Sequence, residues 1–265
     1  MSKKVIIIQP GKLGDILILA PVAKHYHDLG YEVQWPVYRN FLSTIERFPY
    51  VKPLDFGVDL HNYYNQKRSH FSDQENLNGG INIFKKIYEY IDSEDVKVVD
   101  PCFYIPGHNP KSVNYKKALE YKSKNISWIQ LKYDLAGVDI EKRWELEYER
   151  DNQKEDKLMD LIEMFCEKKN MEDYSIVHTY DRNLLSGHNI ENEIPFTYIE
   201  GFTIFDWYKA LENSSSLYCI DSCLANYVEV SKFLENKEKY YLGTEEKHYV
   251  PFMKNILKNN WSVNR

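Results

Sequence analysis

Two acids in this chain stand where an apolar run stops at a turn and resumes at once. The first is Asp15, in Val5-Ile-Ile-Ile-Gln-Pro-Gly-Lys-Leu-Gly-Asp-Ile-Leu-Ile-Leu-Ala-Pro21. A carboxylate behind a glycine turn can take a proton from a hydroxyl, and the bare backbone of Gly11 and Gly14 lets a substrate approach. It can equally cap a helix, since Asp is favoured there and complements the helix dipole. Gly11-Lys-Leu-Gly14 matches neither GxGxxG nor the phosphate loop ending in Gly-Lys-Ser/Thr, yet a glycine turn that opens a helix suits an anion. The second acid is Asp221, in Leu217-Tyr-Cys-Ile-Asp-Ser-Cys-Leu-Ala-Asn226. Asp221 and Ser222 there can bind hydroxyls or phosphate at a strand's carboxyl end, or cap the next helix.

The elements that would hold these acids alternate. Val5 to Gln9 reads as a buried strand and Asp15 to Leu29 as a helix stopped by Gly30, with Pro21 expected to restart or kink it. Tyr31 to Pro36 completes a right-handed βαβ unit. A helix at 42–48, a strand at 54–58, a polar loop at 61–80, a helix at 81–91 and a strand at 96–99 follow. Past Pro101, Pro106, Gly107 and Pro110 the chain is irregular, until an aromatic helix at 127–136. Arg143-Trp-Glu-Leu-Glu-Tyr-Glu alternates as an exposed edge strand does.

Asp151-Asn-Gln-Lys-Glu-Asp has no apolar residue and reads as a linker. It predicts two domains, 1–150 and 151–265. The second has helices at 157–168, 204–213, 222–234 and 249–259, with strands at 174–178, 196–199, 217–220 and 240–242. The expected class is therefore α/β, two doubly wound Rossmann-like domains facing across a cleft, with ligand at the carboxyl ends of the strands.

Composition narrows the function classes. The 265 residues are 43% hydrophobic and 28% charged, with a net charge of -6, so no basic excess advertises nucleic acid. The 22 tyrosines and 12 phenylalanines suit stacking on bases or sugars, and equally a packed core. Cys102, Cys166, Cys219 and Cys223 have neither disulfide-framework nor metal-site spacing, and there is no Asp-x-Asp pair or histidine cluster, so no metal is expected. Without a signal-type N-terminus or a membrane-length apolar run, the reading places the chain in the cytoplasm, of a bacterial cell or of an infected host cell.

Gly11-Lys-Leu-Gly-Asp15 with the following Ile-Leu-Ile-Leu-Ala-Pro21 resembles the opening of the ADP-heptose:lipopolysaccharide heptosyltransferase family. The segment Ala210 to Asn226 resembles its later motif, which ends in Asp-Ser/Thr-Gly-x-x-His. The resemblance implies a GT-B fold and an inverting, metal-independent glycosyltransferase, which uses a nucleotide-sugar co-substrate and no other cofactor. It implies Asp15 as general base and Asp221 and Ser222 as holders of the donor sugar and phosphates. Gly11, Gly14, His178, Thr179, Arg182 and Asn226 join the donor side, Arg182 as the nearest match to the family's diphosphate-binding cation. Lys12 is assigned to the acceptor. Cys223 stands in place of the motif glycine and Asn226 in place of the histidine.

A saccharide of lipopolysaccharide type is the acceptor the resemblance implies. Another acceptor is hydroxymethylated pyrimidine in DNA, modified by a viral-type enzyme. Lys116, Lys117, Lys122, Lys124 and Lys132, interleaved with Tyr115, Tyr121, Trp128 and Tyr133, would face the duplex, unless they are solvated lysines beside a packed helix. A non-catalytic nucleotide or sugar binder of the same fold is the reading from another class.

Overall fold

A computed structural model describes residues 3–60, 74–102, 113–124, 126–231, 234–242 and 257–263. The chain forms two compact units, Met1–Tyr148 and Glu149–Arg265. Both are α/β with wholly parallel sheets.

The first unit contains, in order, β1 (Lys3–Ile7), α1 (Leu13–Asp28), β2 (Tyr31–Val37), α2 (Leu42–Ile45), β3 (Val51–Asp55), α3 (Gln74–Ser93), β4 (Lys97–Val99), α4 (Val113–Ser123) and α5 (Trp128–Ala136). Its strand order is β3-β2-β1-β4. From β1 the chain winds outward through β2 and β3, then returns to add β4 on the other side, so the winding reverses between β1 and β4. Val5, Ile6 and Ile7 are fully buried, as a central parallel strand requires. Asp15 to Ala23 are buried on every face of α1, which marks a core helix rather than an amphipathic one. The helix is assigned without a break through Pro21. Pro21 has no N–H for the Leu17 carbonyl, and Tyr133 Oη of α5 donates to the adjacent Ile18 carbonyl at 2.8 Å.

The second unit contains α6 (Asn152–Lys169), β5 (Ser175–His178), β6 (Glu193–Pro195), α7 (Tyr208–Asn213), β7 (Ser216–Cys219), α8 (Cys223–Ser231), β8 (Glu238–Tyr241) and β9 (Ser262–Val263). The order β6-β5-β7-β8-β9 reverses its winding between β5 and β7. Among the described residues no helix is long and apolar enough to cross a membrane.

Several sequence expectations need correction. Asp151–Asp156 is not a linker but a cap and first helical turn. Asp151 accepts the Lys154 N–H at 3.1 Å, and the buried Glu155 accepts from Arg150 Nε at 2.8 Å. A first turn is polar because its free N–H groups and dipole favour acids. Arg143–Glu149 is not a strand: Ile140–Trp144 is a 3-10 turn, and Arg143 and Trp144 are buried. Residues 74–80 are helical rather than loop, while 61–73 lie outside the described residues. The strand expected at 54–58 lies at Val51–Asp55, because Pro53 is tolerated on the edge strand β3. The strand expected at 196–199 lies at Glu193–Pro195. Of the closing helix expected at 249–259, 249–256 lie outside the described residues and 257–259 are not helical.

Candidate functional site

In the first unit the polar groups converge where the winding reverses, at the carboxyl ends of β1 and β4. The chain leaves β1 through Gln9, Pro10 and Gly11 and enters α1 at Leu13. Gly11 is required by close packing: a Cβ there would lie 2.7 Å from the Tyr38 ring. Lys12, at φ 65°, holds a left-handed conformation that is costly for a residue with a side chain. It is the N-cap of α1 and makes no side-chain cap. Gly14 and Asp15 are the second and third residues of the helix, so Asp15 is not the cap that its type suggested.

Asp15 is 3% exposed and Lys132 of α5 is fully buried, with Nζ 3.7 Å from Asp15 Oδ1. Lys132 Nζ donates to Gln9 Oε1 at 2.7 Å and to the Pro101 carbonyl at 3.4 Å. Gln9 is itself fixed: its Nε2 donates to the Gly11 carbonyl at 2.7 Å, and its own carbonyl accepts from Trp35 Nε1 at 2.8 Å. Lys12 reaches the same place, since its ammonium feels both Asp15 and Lys132. Burial outweighs Asp15's attraction and lowers the Lys12 ammonium to about 8. The buried Tyr38 hydroxyl has no hydrogen-bond partner among the described residues.

Lys132 corrects the surface reading of the lysine run. Neither it nor Tyr133 can face a duplex, because both are fully buried. Lys116, Lys122 and Lys124 are exposed, and Lys124 pairs with Glu120 at 2.6 Å. The side chain of Tyr115 lies outside the described part. Lys132 was missed as a site residue, although a signal existed. Ile129, Lys132, Tyr133 and Ala136 fall at i, i+3, i+4 and i+7, so the lysine sits on the apolar stripe of its helix.

In the second unit the reversal lies between β5 and β7, and a hydrogen bond spans it: His178 Nδ1 to Ser222 Oγ, 2.9 Å. Ser222 also caps α8, accepting the Ala225 N–H at 3.4 Å, and lies 3.3 Å from Cys219 Sγ. Burial pushes the Cys219 thiol up, so it stays protonated and can donate. If Cys219 donates to Ser222, both Ser222 lone pairs are engaged, its hydroxyl proton goes to His178 Nδ1, and Nε2 carries the ring proton. Burial lowers His178 to about 4, so the imidazole is neutral at physiological pH. Asn226 is buried and donates to the Ser222 carbonyl at 2.9 Å. Asp221 is part-buried at the end of the same strand.

The structure thus brings His178, Ser222 and Asn226 together beside the N-terminus of α8. Thr179 and Arg182 look elsewhere. Thr179 Oγ1 closes a local turn with Asp181, donating to its carbonyl at 3.0 Å and accepting its N–H at 3.1 Å. Arg182, 71% exposed, is paired with Glu193. Among the described residues no three His, Cys, Asp or Glu side chains converge as a metal site.

No family model matches the chain. No curated protein matches its sequence. Its fold is nevertheless similar to that of a glycosyl transferase family 9 protein from Veillonella parvula, at 10% identity and a TM-score of 0.57, over 99% of this chain and 86% of that one. Escherichia coli heptosyltransferase WaaC, solved with ADP-2-deoxy-2-fluoro heptose, aligns at 13% identity and a TM-score of 0.48, over 99% of this chain and 93% of that one. The iron-containing dodecameric glycosyltransferase TibC of enterotoxigenic E. coli aligns at 8% identity and a TM-score of 0.42, over 91% of this chain and 57% of that one. The first of these shows the fold, the GT-B architecture expected from the sequence.

Proposed function

We propose that this protein transfers a sugar from a nucleotide-sugar donor to an acceptor hydroxyl, with inversion and with Asp15 as general base. One observation carries the reading: a glycosyltransferase fold holds a buried, ion-paired carboxylate on its glycine turn, at the reversal of the first sheet. That is where ligands meet doubly wound sheets. As the acceptor oxygen attacks the anomeric carbon, its proton passes to Asp15 and the bond to the diphosphate breaks. Gly14 keeps the start of α1 free of a side chain for this approach, Gly11 lets the turn pack against Tyr38, and Lys12 at the turn meets the acceptor.

The diphosphate falls to the second unit. The N-terminus of α8 and the neutral His178 Nε2–H supply donors for its developing charge, with Asp221, Ser222 and Asn226 shaping the turn. Transfer is therefore expected to survive a chelator; loss in EDTA with recovery on adding Mn²⁺ or Mg²⁺ would contradict this. A saccharide acceptor is favoured over duplex DNA, because two of the residues offered to the duplex are buried in the core.

A transfer assay over a panel of nucleotide sugars and saccharide acceptors tests the activity, and absence of transfer from every donor would count against it. Ser222→Ala tests the donor turn. It frees His178 Nδ1 and removes the cap of α8, at a cost of about 1 kcal/mol in stability. Donor affinity is expected to fall about tenfold by calorimetry, the scale of the one hydrogen bond to a charged group that His178 loses when Ser222 no longer holds its ring. A folded variant with unchanged affinity would remove Ser222 from the donor site.

A further inference from the structure

We infer that Lys132 is the positioning residue of the base, holding the Asp15 carboxylate toward the acceptor from within the core; this rests on the glycosyltransferase reading above. The ammonium donates to Gln9 Oε1 at 2.7 Å and to the Pro101 carbonyl at 3.4 Å, and lies 3.7 Å from Asp15 Oδ1 as an ion pair. The two short contacts anchor Lys132 to the segments that leave β1 and β4. Asp15 receives the long one. At that distance the cation attracts the carboxylate without taking one of its lone pairs in a close hydrogen bond. The attraction therefore holds the carboxylate in place without itself capping the oxygen that is to receive the acceptor's proton.

Surface chemistry does not explain the residue. Lys132 is fully buried on a stripe otherwise made of Ile129, Tyr133 and Ala136, and an apolar side chain would fill that place without a charge to desolvate. Core packing alone thus gives no reason for an ammonium there. The Trp128 ring, 5.9 Å from Nζ, covers it from its own helix.

The experiment compares wild type, Lys132→Met, Asp15→Asn and the double variant in steady-state transfer. Lys132→Met is expected to lower kcat about 10- to 100-fold, the range of coupling between adjacent groups, with donor and acceptor KM changing less than about threefold. On the Asp15→Asn background the same change is expected to cost nothing further. Near wild-type kcat in Lys132→Met, or a full multiplicative loss in the double variant, would overturn the inference. Melting midpoints of the four proteins examine the pair without substrate. The double variant is expected to depart from additivity by about 2–4 °C. Additive shifts would overturn the pairing whether or not transfer is detected, whereas a wild type that transfers nothing defeats the activity and leaves the melting result standing. Should Lys132→Met fail to fold, Gln9→Met loosens the same ammonium while retaining it. It is expected to show a smaller kcat loss with the same unchanged KM, and unchanged kcat would count against the role.

Discussion

Replacing Asp15 with Asn is expected to lower turnover by about a hundred- to ten-thousandfold, the usual contribution of a general base. Asn has the shape of Asp but cannot take the acceptor's proton. Donor affinity is expected to stay within about twofold, because the residues proposed for the diphosphate belong to the second unit. The change is not silent for stability. The 3% exposed carboxylate faces a fully buried ammonium, and its loss takes the charged partner away while the contacts to Gln9 and Pro101 remain. Breaking a close buried pair costs roughly 3–5 kcal/mol, and the 3.7 Å separation with the Gln9 and Pro101 contacts retained argues for less, about 1–3. Single-turnover transfer at saturating acceptor, with a melting curve for each protein, separates the two effects. A folded Asp15→Asn protein turning over near the wild-type rate would leave Asp15 a structural acid in the first turn of α1.

The first βαβ unit was readable because local signals agreed: a β-branched run, a glycine turn, an apolar helix and Gly30 at φ 85° as its stop. The two candidate turns were readable for a related reason, since each follows a short apolar strand and carries an acid in the turn or helix start beyond it. What escaped was long-range or polar. Lys132 resembled its neighbours Lys122 and Lys124 in type, its place on an apolar stripe was outweighed by its charge, and the contact that explains it is with Gln9, 123 positions away. The first turn of α6 passed for a linker because acids that cap a helix look like acids that solvate a loop. Arg143-Trp-Glu-Leu-Glu-Tyr-Glu has the period of a strand, but no strand pairs with it among the described residues, and Arg143 and Trp144 turn inward instead. The hydrogen bond joining His178 to Ser222 links residues 44 positions apart, so no spacing rule finds it.

Between pH 6.5 and about 4 the wild-type protein is expected to lose stability that a His178→Asn variant retains. The sign follows from where the proton binds. Burial lowers His178 from 6.5 to about 4, so in this window the unfolded chain takes up a proton that the folded protein refuses. Stability therefore falls as pH drops through the window, is unaffected above it, and loses nothing further from this group below it. At 1.36 kcal/mol per pH unit the whole effect approaches roughly 3 kcal/mol, an upper figure since water can reach part of the ring. Exposed carboxylates such as Asp55 and Glu120 are also held below their ordinary values by their partners, so their contribution is lost at lower pH and is common to both proteins. Urea unfolding at half-unit pH steps, with the two proteins subtracted, isolates the histidine, and equal pH dependence in both would show that His178 titrates normally in the fold. The same neutrality governs binding. If Nε2–H meets the diphosphate as an uncharged donor, donor affinity stays flat from pH 8 to pH 5, because neither partner changes charge there. Affinity that rises several-fold with a midpoint near 6.5 would mean an imidazolium is the contact, and the hydrogen bond from Ser222 to Nδ1 would have to be reversed.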